Sequence, residues 1–196
     1  MILLNNIYIY IVLLLLLLAS LKRGNDLLSL FLISMLLYVC PESFVIRFDL
    51  IIYFVIYFII GIFLSRKIVN FFFLIFFKKS FTHFNIKKLP TQFLIALKEE
   101  ITWRYLLVYL IYTPVNLLTN NFIFSFFIAE IISFCIFVSL HSLESRESIL
   151  EFCTFLIVIT ILSIIMPGFN VALHMIRNLL IVSNYDLGAS YEQEKE

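Results

Sequence analysis

Apolar residues in this chain come in long continuous runs and do not alternate with polar ones. The runs extend from Met1 to Leu21, Leu27 to Cys40, Phe48 to Leu64, Ile101 to Leu118, Phe122 to Leu140, Ile149 to Met166 and Phe169 to Ser183. A helix rises 1.5 Å per residue, so roughly 20 apolar residues carry it across the hydrocarbon core of a bilayer. The pattern predicts an all-α polytopic membrane protein, a bundle of about seven transmembrane helices. The second run is short and the last is interrupted by polar residues. A further apolar stretch, Ile68 to Phe77, is too short to cross alone and reads as interfacial or as an extension of the third span. Helices satisfy their own backbone groups in lipid, and the runs lack the alternation of a barrel strand. Gly24, Pro41, Pro90 and the Pro167–Gly168 pair fall between runs, where breakers belong.

Composition sharpens this reading. Of 196 residues, 63% are hydrophobic and only 14% charged, with a mean hydropathy of +1.07. A soluble domain has about 45–50% apolar and about 25% charged residues. About seven spans use about 140 residues and leave no room for a soluble domain of ordinary size. A secreted globule, a nucleic-acid binder and a Rossmann-type enzyme with a folded cytosolic core are thereby excluded. The net charge of +1 argues for no anionic partner. Cys40, Cys135 and Cys153 have no metal-type spacing and read as buried small hydrophobes. Lys22 and Arg23 follow the first apolar run instead of preceding it, so Met1 to Leu21 reads as a retained span and not as a signal peptide. Basic residues collect after the first span, after the third (Arg66, Lys67, Lys78, Lys79, Lys87, Lys88) and after the fifth (Arg146). The positive-inside rule then puts the N-terminus outside and the C-terminus in the cytoplasm. The basic loop from Lys78 to Lys88, with Phe81, His83 and Phe84, reads as a cytoplasmic flank able to touch anionic lipid.

The informative residues are those that interrupt the apolar runs: Glu99, Glu100, Arg104, Glu130 and Arg177, with His141, His174 and Asn178. A charge at the centre of a lipid-facing helix costs about 2.5–3.5 kcal/mol. Five such charges would cost roughly 12–17 kcal/mol, comparable with the whole stability of an ordinary protein. They therefore sit at the interface or converge inside the bundle around a wet cavity. In Glu99-Glu100-Ile-Thr-Trp-Arg104, Glu100 and Arg104 are an i, i+4 pair on one face, and Glu99 points towards the face of Trp103. Phe137 lies one turn before His141, and His174 and Asn178 lie one turn apart. A lone histidine or asparagine in a span is often only interhelical glue; Glu130, about 16 Å along its helix from His141, reads as structural.

Together these segments resemble the family of CAAX-processing and bacteriocin-related intramembrane proteases (the CPBP or Abi family), whose motifs are EExxxR, FxxxH and HxxxN. They stand here in that order as Glu99 to Arg104, Phe137-Val-Ser-Leu-His141 and His174-Met-Ile-Arg-Asn178. The resemblance covers about Glu99 to Asn178. It implies that Glu99 is the general base activating water and that His141 helps orient that water. It also implies that His174 and Asn178 donate to the tetrahedral oxyanion, while Glu100 and Arg104 form the structural pair. On this reading residues 1–88 are N-terminal transmembrane helices with a basic cytoplasmic loop, 89–186 the catalytic helical core and 187–196 a polar tail. Two histidines and two glutamates can bind zinc, in which case Glu99, His141 and His174 would be the ligands. The absence of HExxH fits a metal-free, glutamate-activated water equally well.

The function expected from the resemblance is an endopeptidase of a multi-pass cell membrane, prokaryotic by its compactness and composition. Its partners would be a small membrane-associated peptide or protein terminus and membrane lipid, with no nucleic acid. Candidate substrates are prenylated CAAX termini and bacteriocin or pheromone precursors. The alternative is a non-catalytic bacteriocin self-immunity or scaffold protein of the same family. A proton-coupled transporter is a third class, because carboxylates and histidines in spans also mark proton relays; the lack of an internal repeat counts against it.

Overall fold

A computed structural model describes residues 48–193 apart from 82, 142, 144 and 167, together with Ile11. The first two expected spans, Met1 to Leu21 and Leu27 to Cys40, lie outside the described residues except for Ile11, as does the end of the polar tail. The described residues form helices joined by short connections: α1 (Phe48–Phe77), a 3₁₀ turn (Ile86–Lys88), α2 (Leu89–Glu99), a π-helical segment (Glu100–Leu107), α3 (Val108–Thr119), α4 (Phe122–Ser139), α5 (Arg146–Ile165) and α6 (Phe169–Gln193). No strand occurs among them. Three helical stretches, Ile52–Phe77, Phe122–Ser139 and Arg146–Ile165, are long and apolar enough to cross a membrane.

The described chain divides into two units, one comprising Lys98–His141 and the other Arg47–Leu97 with Ser142–Glu196. In the second, α1 packs along α6, and α5 packs against both. The third apolar run and the stretch after it are one helix of 30 residues, about 45 Å long, so Ile68 to Phe77 extends the span. Arg66 and Lys67 therefore lie within a helix and not in a loop; the Arg66 guanidinium stands 5.7 Å from the centre of the Phe84 ring. The face of α1 turned inward carries Gly61, Ser65, Val69 and Phe73, one residue per turn. Small residues on this stripe let α6 approach closely, as in membrane helix pairs generally. A methyl group at Gly61 would stand 2.7 Å from the Ala172 Cβ. The opposite face of α1 exposes Ile52, Ile56, Ile59, Phe63 and Phe71, an apolar surface suited to lipid.

α6 is the inner helix of this unit. From Phe169 to Leu180 every residue except Asn178 is buried, so its polar side chains meet protein and not lipid. The core around it contains Val69, Phe73, Phe155, Ile159, Leu173 and Ile176. Its entry turn requires glycine. Gly168 has φ +97°, and a Cβ there would lie 2.2 Å from the carbonyl oxygen of Phe54. The Gly168 N–H donates to Asn170 Oδ1 at 2.9 Å, which satisfies a buried donor at the start of α6.

In the first unit, α3 and α4 form a helical hairpin turned by Asn120 and Asn121. Asn120 takes the left-handed conformation (φ 49°, ψ 32°) and closes α3 with a bond from its N–H to Asn116 O. Asn121 caps α4 by accepting from the N–H of Phe124. The buried row of α4 is Ser125, Ala129, Ser133 and Phe137, again mostly small and again one per turn. Thr119 and Ser125 hydroxyls meet at 2.9 Å across the hairpin. The apolar run Ile101 to Leu118 is thus not one plain α-helix. Its helix begins earlier, at Leu89, passes through a π turn and contains Pro114 in α3.

Candidate functional site

The EExxxR segment lies where α2 widens into the π-helical turn. Glu99 ends the α-helical part and Glu100 opens the π part. A π turn reorients side chains relative to a regular helix and is frequent at functional positions. Glu100 is 2% exposed, and its Oε2 accepts from Arg104 Nε at 2.6 Å, the pairing expected from the i, i+4 spacing. Glu99, its neighbour, is only half-buried. The two carboxylates thus occupy different environments, one enclosed with its counter-ion and one nearer solvent. Thr102, inside the same motif, is buried, and its hydroxyl has no hydrogen-bond partner among the described residues.

The second motif meets the first within this unit. Ser133 Oγ donates to the backbone carbonyl of Trp103 at 2.6 Å, which fixes α4 against the π turn. One turn on, the Phe137 ring lies 5.4 Å from the Trp103 ring. The His141 imidazole stands edge-on to Phe137 at 4.5 Å. His141 Nδ1 is 2.8 Å from the Phe137 carbonyl oxygen. A carbonyl can only accept, so Nδ1 carries a proton and donates to it. Glu130, half-buried on α4, is within electrostatic reach of both Arg104 and Glu100. It joins the charged group of the first motif, a link that its distance from His141 along the helix had hidden.

The third motif lies in the second unit. His174 is 3% exposed, its ring 6.3 Å from that of Phe155 at an interplanar angle of 73°. Asn178, one turn later, is half-buried. Between them Arg177 makes a two-pronged ion pair with Glu151 of α5, Nε to Oε1 at 2.9 Å and Nη2 to Oε2 at 2.5 Å. Glu151 was not legible as a site residue, because it sits inside an apolar run and its partner is distant in sequence. Only the packing of α5 on α6 reveals the pair.

Six sequence-derived site residues therefore divide between units: Glu99, Glu100, Arg104 and His141 in one, His174 and Asn178 in the other. No group of three or more His, Cys, Asp or Glu that could hold a metal ion occurs among the described residues. Compared with known proteins, the chain matches no family model, no curated protein and no solved structure.

Proposed function

We propose that the protein is an intramembrane endopeptidase of the CAAX-processing and bacteriocin-related type. It would cut a peptide bond in a small membrane-associated peptide or protein terminus with a glutamate-activated water. The observation that carries this reading is the packing of the first two motifs on each other through Trp103, Phe137 and His141. Glu99, half-buried beside a buried and paired Glu100, is the carboxylate suited to take a proton from water. His141, held through Nδ1 on the Phe137 carbonyl, would help orient that water. By the family resemblance His174 and Asn178 would be the N–H donors for the oxyanion, a contact worth about 3–4 kcal/mol of barrier when one donor is removed. Three helices long and apolar enough to span a bilayer support placement in a membrane, which on this reading would be the multi-pass plasma membrane of a prokaryote.

The test uses the detergent-purified protein and its Glu99→Gln form, each incubated with precursor peptides and prenylated CAAX peptides. Mass spectrometry should find a cut with the unmodified protein that disappears in Glu99→Gln while thermal stability stays unchanged. Equal cutting by both forms would remove Glu99 from the chemistry.

One observation favours a second reading, a non-catalytic immunity or scaffold protein. His174 is almost wholly enclosed and packed on Phe155, an environment also suited to a plain contact between helices. Full protection of cells against a bacteriocin by Glu99→Gln would support that reading over the protease.

A further inference from the structure

The second unit holds a chain of four side chains in contact, two from each of α5 and α6. Glu151 is 1% exposed and Phe155 is 1% exposed, one turn apart on α5. His174 and Arg177 are i, i+3 neighbours on α6. The two contacts to Glu151 fix the plane of the Arg177 guanidinium as well as its position. Its central carbon then lies 4.8 Å from the centre of the Phe155 ring and 5.1 Å from that of Phe152. Phe155 in turn presents its ring at 73° to the His174 imidazole. Geometry passes from carboxylate to guanidinium, from guanidinium to ring, and from ring to imidazole.

We infer that Arg177, anchored by Glu151, is a positioning residue that sets the orientation of the His174 imidazole through Phe155. The catalytic consequence rests on the protease reading; the contact itself does not. An oxyanion donor acts only if its N–H points where charge develops, so an imidazole that tilts loses catalysis without losing the fold. Arginine is required in this role because a lysine ammonium is a point charge. It has no fork to match both carboxylate oxygens and no plane to lie on a ring. Glu100 and Arg104 play the corresponding part beside Glu99 in the first motif. Of the second pair, Arg177 lies within the HxxxN segment and Glu151 outside every motif, and the packing of α5 on α6 joins them.

The chain has three histidines, so ¹⁵N-histidine spectra in nanodiscs resolve His83, His141 and His174 once each is assigned by substitution. In Arg177→Lys and in Phe155→Leu, the His174 ring nitrogens should shift while those of His83 and His141 hold. With a cleavable peptide, both variants should lose about tenfold in kcat with KM within twofold, the mark of an interaction made in the transition state. Phe155→Leu keeps the ion pair and the apolar core, so it decides the matter if Arg177→Lys fails to fold. Unmoved His174 resonances in folded Phe155→Leu overturn the inference, as does a rise in KM at constant kcat. If neither wild type nor Glu99→Gln cuts any peptide, the protease reading fails alone, and the spectra still decide whether Arg177 positions His174.

Discussion

A close approach of two helices in the second unit gives a prediction that can be worked through in numbers. Replace Gly61 by alanine. The new methyl would lie 2.7 Å from the Ala172 Cβ and 3.2 Å from the Phe169 Cα, whereas carbon atoms in contact prefer about 3.5–4.0 Å. Ala172 is fully buried, and the second neighbour is backbone, so relief requires α1 and α6 to part or slide. Overpacking of this kind costs about 1–3 kcal/mol. Alanine returns up to about 1 kcal/mol through helix propensity, leaving a net loss of about 1 kcal/mol and at most about 2. Ala172→Gly alone should cost about 1 kcal/mol by the same propensity difference. In the double variant the methyl at position 61 gains the space vacated at 172. Only the milder contact with Phe169 then remains, so the double should be at least as stable as Ala172→Gly. The coupling energy is then about 1–2 kcal/mol in favour of the pair. Thermal unfolding in detergent, followed by far-ultraviolet circular dichroism, reads each kcal/mol as a shift of roughly 2–4 °C for a chain of this size. A Gly61→Ala protein that melts higher than wild type, with strictly additive effects in the double, would refute the claimed approach of α1 to α6.

Two further substitutions test the turn and the buried pair of the first motif. Gly168→Ala combines a positive φ with a collision against the Phe54 carbonyl oxygen, and should cost at least about 2 kcal/mol, seen as a loss of folded monomer on size exclusion. Arg104→Met leaves Glu100 enclosed without its counter-ion and should cost about 3–5 kcal/mol; adding Glu100→Leu should recover most of that loss in the same melt. If the single variant is no less stable than the double, Glu100 is not held by Arg104 as described.

Much of this architecture can be read from the chain because hydropathy and helix signals agree along it. The fifth run, Phe122 to Leu140, returns as α4, and the sixth, Ile149 to Met166, as α5, started by Ser145 accepting from the Ser148 N–H. The Glu100–Arg104 pair and the Phe137–His141 contact follow from spacing alone. Pro90 misleads for a physical reason. Proline breaks a helix interior but is favoured in its first turn, where the missing N–H would have had no helical partner, and α2 begins at Leu89. The π turn leaves no composition signal, and the Ser133 hydroxyl that donates to its Trp103 carbonyl comes from α4, 30 residues away. Glu151–Arg177 depends on two helices lying side by side, and neither residue announces the other.

The distribution of polarity follows from which surfaces face lipid. α1, α4 and α5 contain the stretches apolar enough to span a membrane, and all three expose isoleucine or phenylalanine outward. The site candidates lie chiefly elsewhere, on the α2–π segment and on α6. α6 carries Asn170, His174 and Arg177 because α1 and α5 enclose it and Glu151 neutralises its arginine. Two of the charges that would cost roughly 12–17 kcal/mol together in lipid, Glu100 and Arg104, neutralise each other, and a third, Arg177, is matched by Glu151. Pairing makes a polar inner helix tolerable, and a polar inner helix has weak hydropathy. A scan for spans therefore marks best the helices that enclose a polar inner helix, and marks least well the helix so enclosed.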